Sequence, residues 1–216
     1  MPSIHYLLFD LDDTLYTDAS GLFTEVGARI EAWTARALGL TAEGAATLRR
    51  RYFAEYGTTM AGLLRHHPEA DIDDYLEYVH QIDVARYLRP NPALDAMLGR
   101  LDATKVIFTN GIASWAERIL TQLGVRSHFA QIIDVRAVRL QGKPRPFAYE
   151  QALALLDTTG PACALIDDQP RNLQGALPFG MRTVLVRPNG TAADGIEFAV
   201  EDVLAAEPVL QALLGE

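Results

Sequence analysis

The chain has 216 residues, 49% of them apolar and 22% charged, enough for one large globular domain or for one domain carrying a smaller insert. Its 19 basic residues stand against 28 acidic ones, a net charge of −9, which argues against a broad nucleic-acid-binding face because such a face needs clustered cations. No apolar run is long enough to span a membrane, and the single cysteine, Cys163, excludes an internal disulfide.

In chain order, IHYLLF (4–9) is a short apolar run expected to form a buried strand. It is preceded by no basic region or long apolar stretch of the signal-peptide kind, and the lone cysteine in an apolar run leads to the expectation of a reducing cytoplasm. Residues 19–38 change period: Leu22, Val26, Ile30 and Trp33 recur at helical spacing, with Gly39 as a stop. Thr41 reads as the N-cap of a helix running to Gly57, and shorter helical stretches follow at 59–66 and 72–82, separated by His67-Pro68. Residues 17–88 are thus expected to be all helix.

Pro90 and Pro92 punctuate the return, after which strands and helices alternate. Strands are expected at 105–109, 131–135, 162–166 and 183–186, and helices at 112–123, 145–157, 170–178 and 201–214. This alternation implies a parallel sheet in a doubly wound α/β core. The expected organisation is a core of residues 1–16 and 89–216 with a helical domain, 17–88, inserted after the first strand.

Ligands of open α/β sheets bind beyond the carboxyl ends of the strands, and the polar residues of this chain collect at those ends. Asp10, Asp12, Asp13 and Thr14 follow the first strand; Thr109, Asn110 and Gly111 end the second; Lys143 lies in the loop after the third; Asp167 and Asp168 end the fourth. Taken singly, each has an ordinary reading: a turn or helix cap at 109–111, a helix N-cap at 167–168, a surface lysine at 143. Taken together they make chemical sense. Two unit charges about 4 Å apart repel by about 4 kcal/mol at an effective dielectric of ~20, so a crowd of carboxylates calls for a cation. Residues two apart at a strand end point the same way, which lets Asp10 and Asp12 face one crevice while Leu11 turns to the core. Asp168 adds hard oxygen of the kind Mg²⁺ takes. Thr109 and the amides of Asn110 and Gly111 at a helix start offer donors to an anion, and Lys143 adds positive charge.

In order, Asp10-Leu-Asp12-Asp13-Thr14, Thr109-Asn110, Lys143-Pro144 and Asp167-Asp168 with Asn172 resemble the four motifs of the haloacid dehalogenase (HAD) superfamily. The resemblance implies a Rossmann-like core and a Mg²⁺ cofactor. It implies that Asp10 is a nucleophile forming an aspartyl-phosphate and that Asp12 is the general acid and base. Mg²⁺ would be held by the side chains of Asp10 and Asp168 and the carbonyl of Asp12. Thr109 and Lys143 would hold the phosphoryl oxygens, and Asp167 would support Lys143 or a metal-bound water. Members that cleave carbon–halogen bonds lack an acid at the position of Asp12, because halide leaves without a proton.

The insert resembles the cap that lies between the first and second motifs in capped subfamily I, which implies a small phosphorylated metabolite as substrate. Within it, Arg51-Tyr52-Phe53-Ala54-Glu55-Tyr56-Gly57 and Met60-Ala61-Gly62-Leu63 resemble the pyrimidine 5′-nucleotidase branch, although Asp13 and Gln169 stand where that branch often has Asn and Ser. A nucleoside 5′-monophosphate is the substrate this implies, with a sugar-phosphate phosphotransferase or mutase, or a HAD phosphatase acting on another small metabolite, as the alternatives. Arg51, Tyr52 and Tyr56 are candidates to touch the leaving group, although aromatic residues four apart on a helix are more often packing. No nucleic-acid or membrane partner is expected, and the protein is expected to be a monomer or homodimer.

Overall fold

Apolar runs without alternation suit a parallel sheet covered on both faces, and here they form one. The computed structural model describes residues 3–188 and 195–215. Among these residues lie β1 (Tyr6–Phe9), β2 (Thr104–Phe108), β3 (Phe129–Ile133), β4 (Cys163–Asp167), β5 (Arg182–Val186) and β6 (Phe198–Val200). They are ordered β3-β2-β1-β4-β5-β6, and every neighbouring pair is parallel. The chain lays β2 and β3 on one side of β1, then crosses to place β4, β5 and β6 on the other, so the topological switch lies between β1 and β4. There Phe9 is aligned with Ile166, and the Asp10 amide donates to the Ile166 carbonyl at 2.8 Å. Asp10 and Asp167 therefore leave adjacent strands side by side.

The chain divides into two units, Met1–Thr17 with Leu88–Glu216, and Asp18–Tyr87. The second unit is helical: α1 (Leu22–Leu38), α2 (Ala42–Tyr56), α3 (Thr59–His66) and α4 (Ile72–His80). Its ends obey local chemistry. Gly39 closes α1 at φ 64°, and the Thr41 hydroxyl accepts from the Gly44 amide at 3.1 Å. Thr58 and Asp71 cap α3 and α4 in the same way. Trp33 of α1 is buried edge-on against Tyr75 and donates its indole N–H to Asp74 at 2.6 Å, tying α1 to α4. Tyr52 of α2 is also buried, its ring lying directly over Gly62 of α3: a Cβ at Gly62 would fall 2.2 Å from Tyr52 Cγ. Its hydroxyl meets His67 Nε2 at 3.0 Å, while Tyr56 meets His66 Nε2 at 2.6 Å. Of the two readings left open for Tyr52, the structure supports packing.

The sheet unit adds α5 (Pro92–Arg100), α6 (Ala113–Leu123), α7 (Pro146–Leu155), α8 (Pro170–Ala176) and α9 (Glu207–Leu214). Leu8, Val106, Phe108, Ile133 and Leu165 of the sheet share a buried core with Ala148, Tyr149 and Ala152 of α7 and Leu173 and Ala176 of α8. Three elements differ most from the sequence reading. Pro92 does not break the chain but starts α5, with the Asn91 side chain accepting from the Leu94 amide at 3.1 Å. β6 was not expected, and the last helix begins at Glu207, six residues later than its pattern suggested, after a turn of 3₁₀ helix at Leu204–Ala206. Among the described residues no helix is long and apolar enough to cross a membrane.

The α2–α3 contact makes a stability prediction. Gly62→Val should destabilise the protein by at least about 2 kcal/mol through overpacking, read as a lower denaturant midpoint. An unchanged midpoint would show that the two helices are not in contact at this point.

Candidate active site

Asp10 sits directly past β1 and is mostly buried, with Leu11 fully buried behind it. One of its oxygens, Oδ1, accepts from Lys143 Nζ at 2.9 Å. The same ammonium donates to Asp167 Oδ2 at 2.6 Å, and its side chain has no exposed surface. A buried ammonium needs partners to remain charged, and Lys143 has two carboxylates. Burial opposes its charge, but Asp10 and Asp167 outweigh that cost and hold it above the ordinary lysine value.

Asp167 is saturated. Besides Lys143, it accepts from the Gln169 amide at 2.8 Å and from Asn172 Nδ2 at 2.9 and 3.1 Å. Asn172 lies in α8, and its carbonyl in turn accepts from the buried Tyr149 hydroxyl at 2.6 Å. Thr14 ties the first motif to the fourth: its hydroxyl accepts from the Asp168 amide at 3.1 Å and reaches Asp10 Oδ2 at 3.4 Å. Asp13 takes a left-handed conformation, φ 60°, which Asp tolerates better than most residues.

Asp10, Asp167 and Asp168 each bring one carboxylate oxygen within 4.8 Å of the other two. Three carboxylates outnumber the one ammonium bonded among them, with the Arg171 guanidinium acting on Asp168 and Asp167 from nearby. Burial first, and then Asp167 and Asp12, push the Asp10 carboxyl up to about 7 despite Lys143. Burial, Asp167 and Asp10 push Asp168 up to about 8. The donor set, crowded hard oxygens, fits a small divalent cation. Because the Asp167 oxygens are already occupied by four hydrogen bonds, Asp10 and Asp168 are the side chains with capacity to ligate.

Asp12, two residues past Asp10, is held differently. Its Oδ1 accepts from the Tyr16 hydroxyl at 2.5 Å and from the Trp115 indole N–H at 2.9 Å. The sequence reading did not include Tyr16 in the site and placed Trp115 only as helix core. Trp115 is core, with no exposed surface, but its one polar atom is turned to the motif.

Around the second motif the expectation needs one correction. The Gly111 amide is not free for an anion: it donates to Thr109 Oγ1 at 2.9 Å, a turn closed by a side chain. The next helix-start amide, Ala113, donates to Asp134 Oδ2 at 2.9 Å, and Asp134 also takes the Ala137 amide. Asp134, absent from the sequence reading, thus caps α6 from the end of β3. The Thr109 hydroxyl keeps its proton to donate. The Asn110 side chain points to the lysine loop, where its Nδ2 donates to the Lys143 carbonyl at 2.9 Å. The structure therefore brings Asp10 and Asp167 onto Lys143, with an Asp168 oxygen within 4.8 Å of both carboxylates and Asn110 bonded to the lysine loop.

Comparison with known proteins shows the family to which the chain belongs. The family model described as haloacid dehalogenase-like hydrolase matches residues 4–180. Phosphate metabolism protein 8 of Saccharomyces cerevisiae is 28% identical over an alignment 204 residues long that covers 85% of this chain. The match spans only 62% of that yeast protein. A 2-haloacid dehalogenase from Pseudomonas syringae is similar in structure, with a TM-score of 0.59 and 24% identity over 97% of this chain and 98% of that one. A HAD phosphatase from Thermococcus onnurineus has a TM-score of 0.63 and 18% identity over 96% and 98%. At these identities the structural likenesses speak for the fold.

The crowding of carboxylates generates a prediction that needs no substrate. Mg²⁺ at about 100 times its Kd should stabilise the protein by about 2.7 kcal/mol, seen as a rise in Tm. Asp168→Asn should shrink that rise without lowering the metal-free Tm. An Asp168→Asn protein that responds to Mg²⁺ as the parent does would remove Asp168 from the cation site.

Proposed function

The chain belongs to the haloacid dehalogenase-like hydrolases, and from that premise we propose that it is a Mg²⁺-dependent phosphatase that hydrolyses a small phosphomonoester through an aspartyl-phosphate. The observation that carries this reading is the second carboxylate, Asp12, held beside Asp10 but on its own set of donors. A halide ion leaves carbon without a proton. An alkoxide leaving phosphorus benefits from a positioned acid, worth about 10²–10⁴ in rate. The fold is shared with dehalogenases and phosphatases alike and does not choose between them; a carboxylate at position 12 favours the ester.

In this reading Asp10 Oδ2 attacks phosphorus while Lys143, bonded to Oδ1, stabilises the carboxylate and reaches the phosphoryl oxygens. The Thr109 hydroxyl donates to a second phosphoryl oxygen. Asp12 gives its proton to the departing ester oxygen as the P–O bond breaks. It then takes a proton from the water that attacks the aspartyl-phosphate, which returns Asp10 and releases inorganic phosphate. Asp10, Asp168 and the Asp12 carbonyl would hold Mg²⁺, which supplies positive charge to the phosphoryl group and to the carboxylates.

We take a nucleoside 5′-monophosphate as the substrate class. The support is the resemblance of residues 51–57 and 60–63 to the pyrimidine 5′-nucleotidase branch; a relative named for phosphate metabolism agrees with ester chemistry in general. Arg51 and Tyr56 are the helical-unit residues we assign to substrate contact, Tyr52 being enclosed between α2 and α3. The single cysteine, buried in β4, suits a reducing, cytoplasmic setting.

The test is a phosphate-release screen with Mg²⁺ across nucleoside monophosphates, sugar phosphates and cofactor phosphates. The highest kcat/KM is expected for a nucleoside 5′-monophosphate, with Asp10→Asn reduced to background on every substrate. Full activity of Asp10→Asn would exclude the nucleophile, and a sugar phosphate as best substrate would overturn the nucleotide assignment.

A further inference from the structure

Tyr16 and Trp115 converge on Asp12 from separate parts of the chain, four and 103 residues downstream of it, and both donate to the same oxygen, Oδ1. The indole N–H can only donate. While Trp115 and Tyr16 both donate to Oδ1, its lone pairs are turned to them, and a proton on the neutral carboxyl is favoured on Oδ2. The two donors are themselves fixed. Trp115 is fully buried in α6, and Tyr16 is nearly so. Burial and the adjacent Asp12 hold the Tyr16 phenol well above the ordinary tyrosine range, so it stays a donor.

We infer that Tyr16 and Trp115 are positioning residues that choose the oxygen of Asp12 from which the leaving group takes its proton. The inference rests on the phosphatase reading above and deepens it: Asp12 is the acid, and its neighbours decide which oxygen acts. Neither residue touches substrate. Removing a donor frees the carboxyl to rotate or to carry its proton on Oδ1, where no leaving group receives it. The proton itself moves as before, from Asp12 to the ester oxygen as the P–O bond breaks. Only the fraction of Asp12 poised to deliver it changes.

Two esters separate this role from a structural one. Ethyl phosphate expels an alkoxide that needs a proton, whereas p-nitrophenyl phosphate expels a stable phenolate that does not. The quantity to compare is kcat/KM, which ends at the first irreversible step and so excludes the later role of Asp12 as base toward water. Tyr16→Phe, which deletes a single hydroxyl, and Trp115→Phe should each lower the ratio of kcat/KM for the ethyl ester to that for the aryl ester by about tenfold or more, within the range of acid catalysis. Turnover of the aryl ester reports in the same assay that the nucleophile and the fold are in place. In an Asp12→Asn background, which has no proton to give, adding Tyr16→Phe should leave the ratio where Asp12→Asn put it, since groups acting through one another are not additive.

Equal losses on both esters, or a further drop in the double variant, would overturn the positioning role and leave the phosphatase standing. If the parent protein releases phosphate from neither ester nor from any substrate in the wider screen, the phosphatase reading fails, and the inference falls with it.

Discussion

A single ammonium group, Nζ of Lys143, holds the centre of this molecule together. It is fully enclosed, arrives on the loop after β3, and is bonded at once to Asp10 from β1 and Asp167 from β4. Breaking a buried ion pair by removing one partner costs about 3–5 kcal/mol, so three segments distant in sequence are locked to a common point. The parallel register of β1 and β4 makes this geometry attainable, since it brings Asp10 and Asp167 out of the sheet on neighbouring strands. Asn172 and the Gln169 amide then fix Asp167, and Asn110 fixes the loop that carries the lysine. Much of the polar structure at this rim exists to keep one cation in place.

One bonded ammonium, with Arg171 acting on Asp168 and Asp167 from nearby, does not balance three carboxylates. Asp10 and Asp168 are both driven toward their neutral forms, first by burial and then by Asp167, with Asp12 adding to the push on Asp10 and Asp10 to that on Asp168. A protonated Asp10 is not a nucleophile. The arrangement is thus poorly satisfied as a purely structural network and well suited to a bound divalent cation, which offsets two negative charges and returns the carboxylates to their ionised forms. Structural ion-pair networks also shift carboxylates, but they close their charge balance with side chains, as Arg126 does for Glu117 at 2.6 Å elsewhere in this fold.

The sequence made the core legible because its strands are buried on both faces and read as short apolar runs, and because the motif residues stand where those runs stop. It hid β6, three half-buried residues beside β5 with too little hydrophobic pattern to separate from a loop. It also hid α5, whose Asn91-Pro92 start was read as punctuation although the same pair is a cap followed by a first-turn proline. At the site, the groups that meet were visible as types at strand ends, but the bonds between them were not. Trp115 fits a helix stripe whether or not its indole N–H is used, and Asp134 looks like any residue at the end of a strand. Gly111 seemed to offer a free amide because nothing local says that the Thr109 hydroxyl turns back onto it. Such contacts depend on side-chain direction across the fold, which spacing along a chain does not encode.

Within three residues the chain carries two carboxylates, Asp10 and Asp12, with different surroundings, and the difference has a chemical logic. Asp10 is paired with a cation, which favours its charged form and suits a group that must attack phosphorus. Asp12 is held by a phenol and an indole, both neutral. A lysine or arginine in their place would stabilise only the anion and would hold off the proton that an acid has to carry. Neutral donors on one oxygen orient the carboxyl in either state and leave the other oxygen to exchange its proton. The buried Leu11 between them keeps the two apart along the backbone, so each can be served by its own partners. The separation of attack from proton transfer at this site is therefore set less by the two aspartates, which are alike, than by the charge of the groups that grip them.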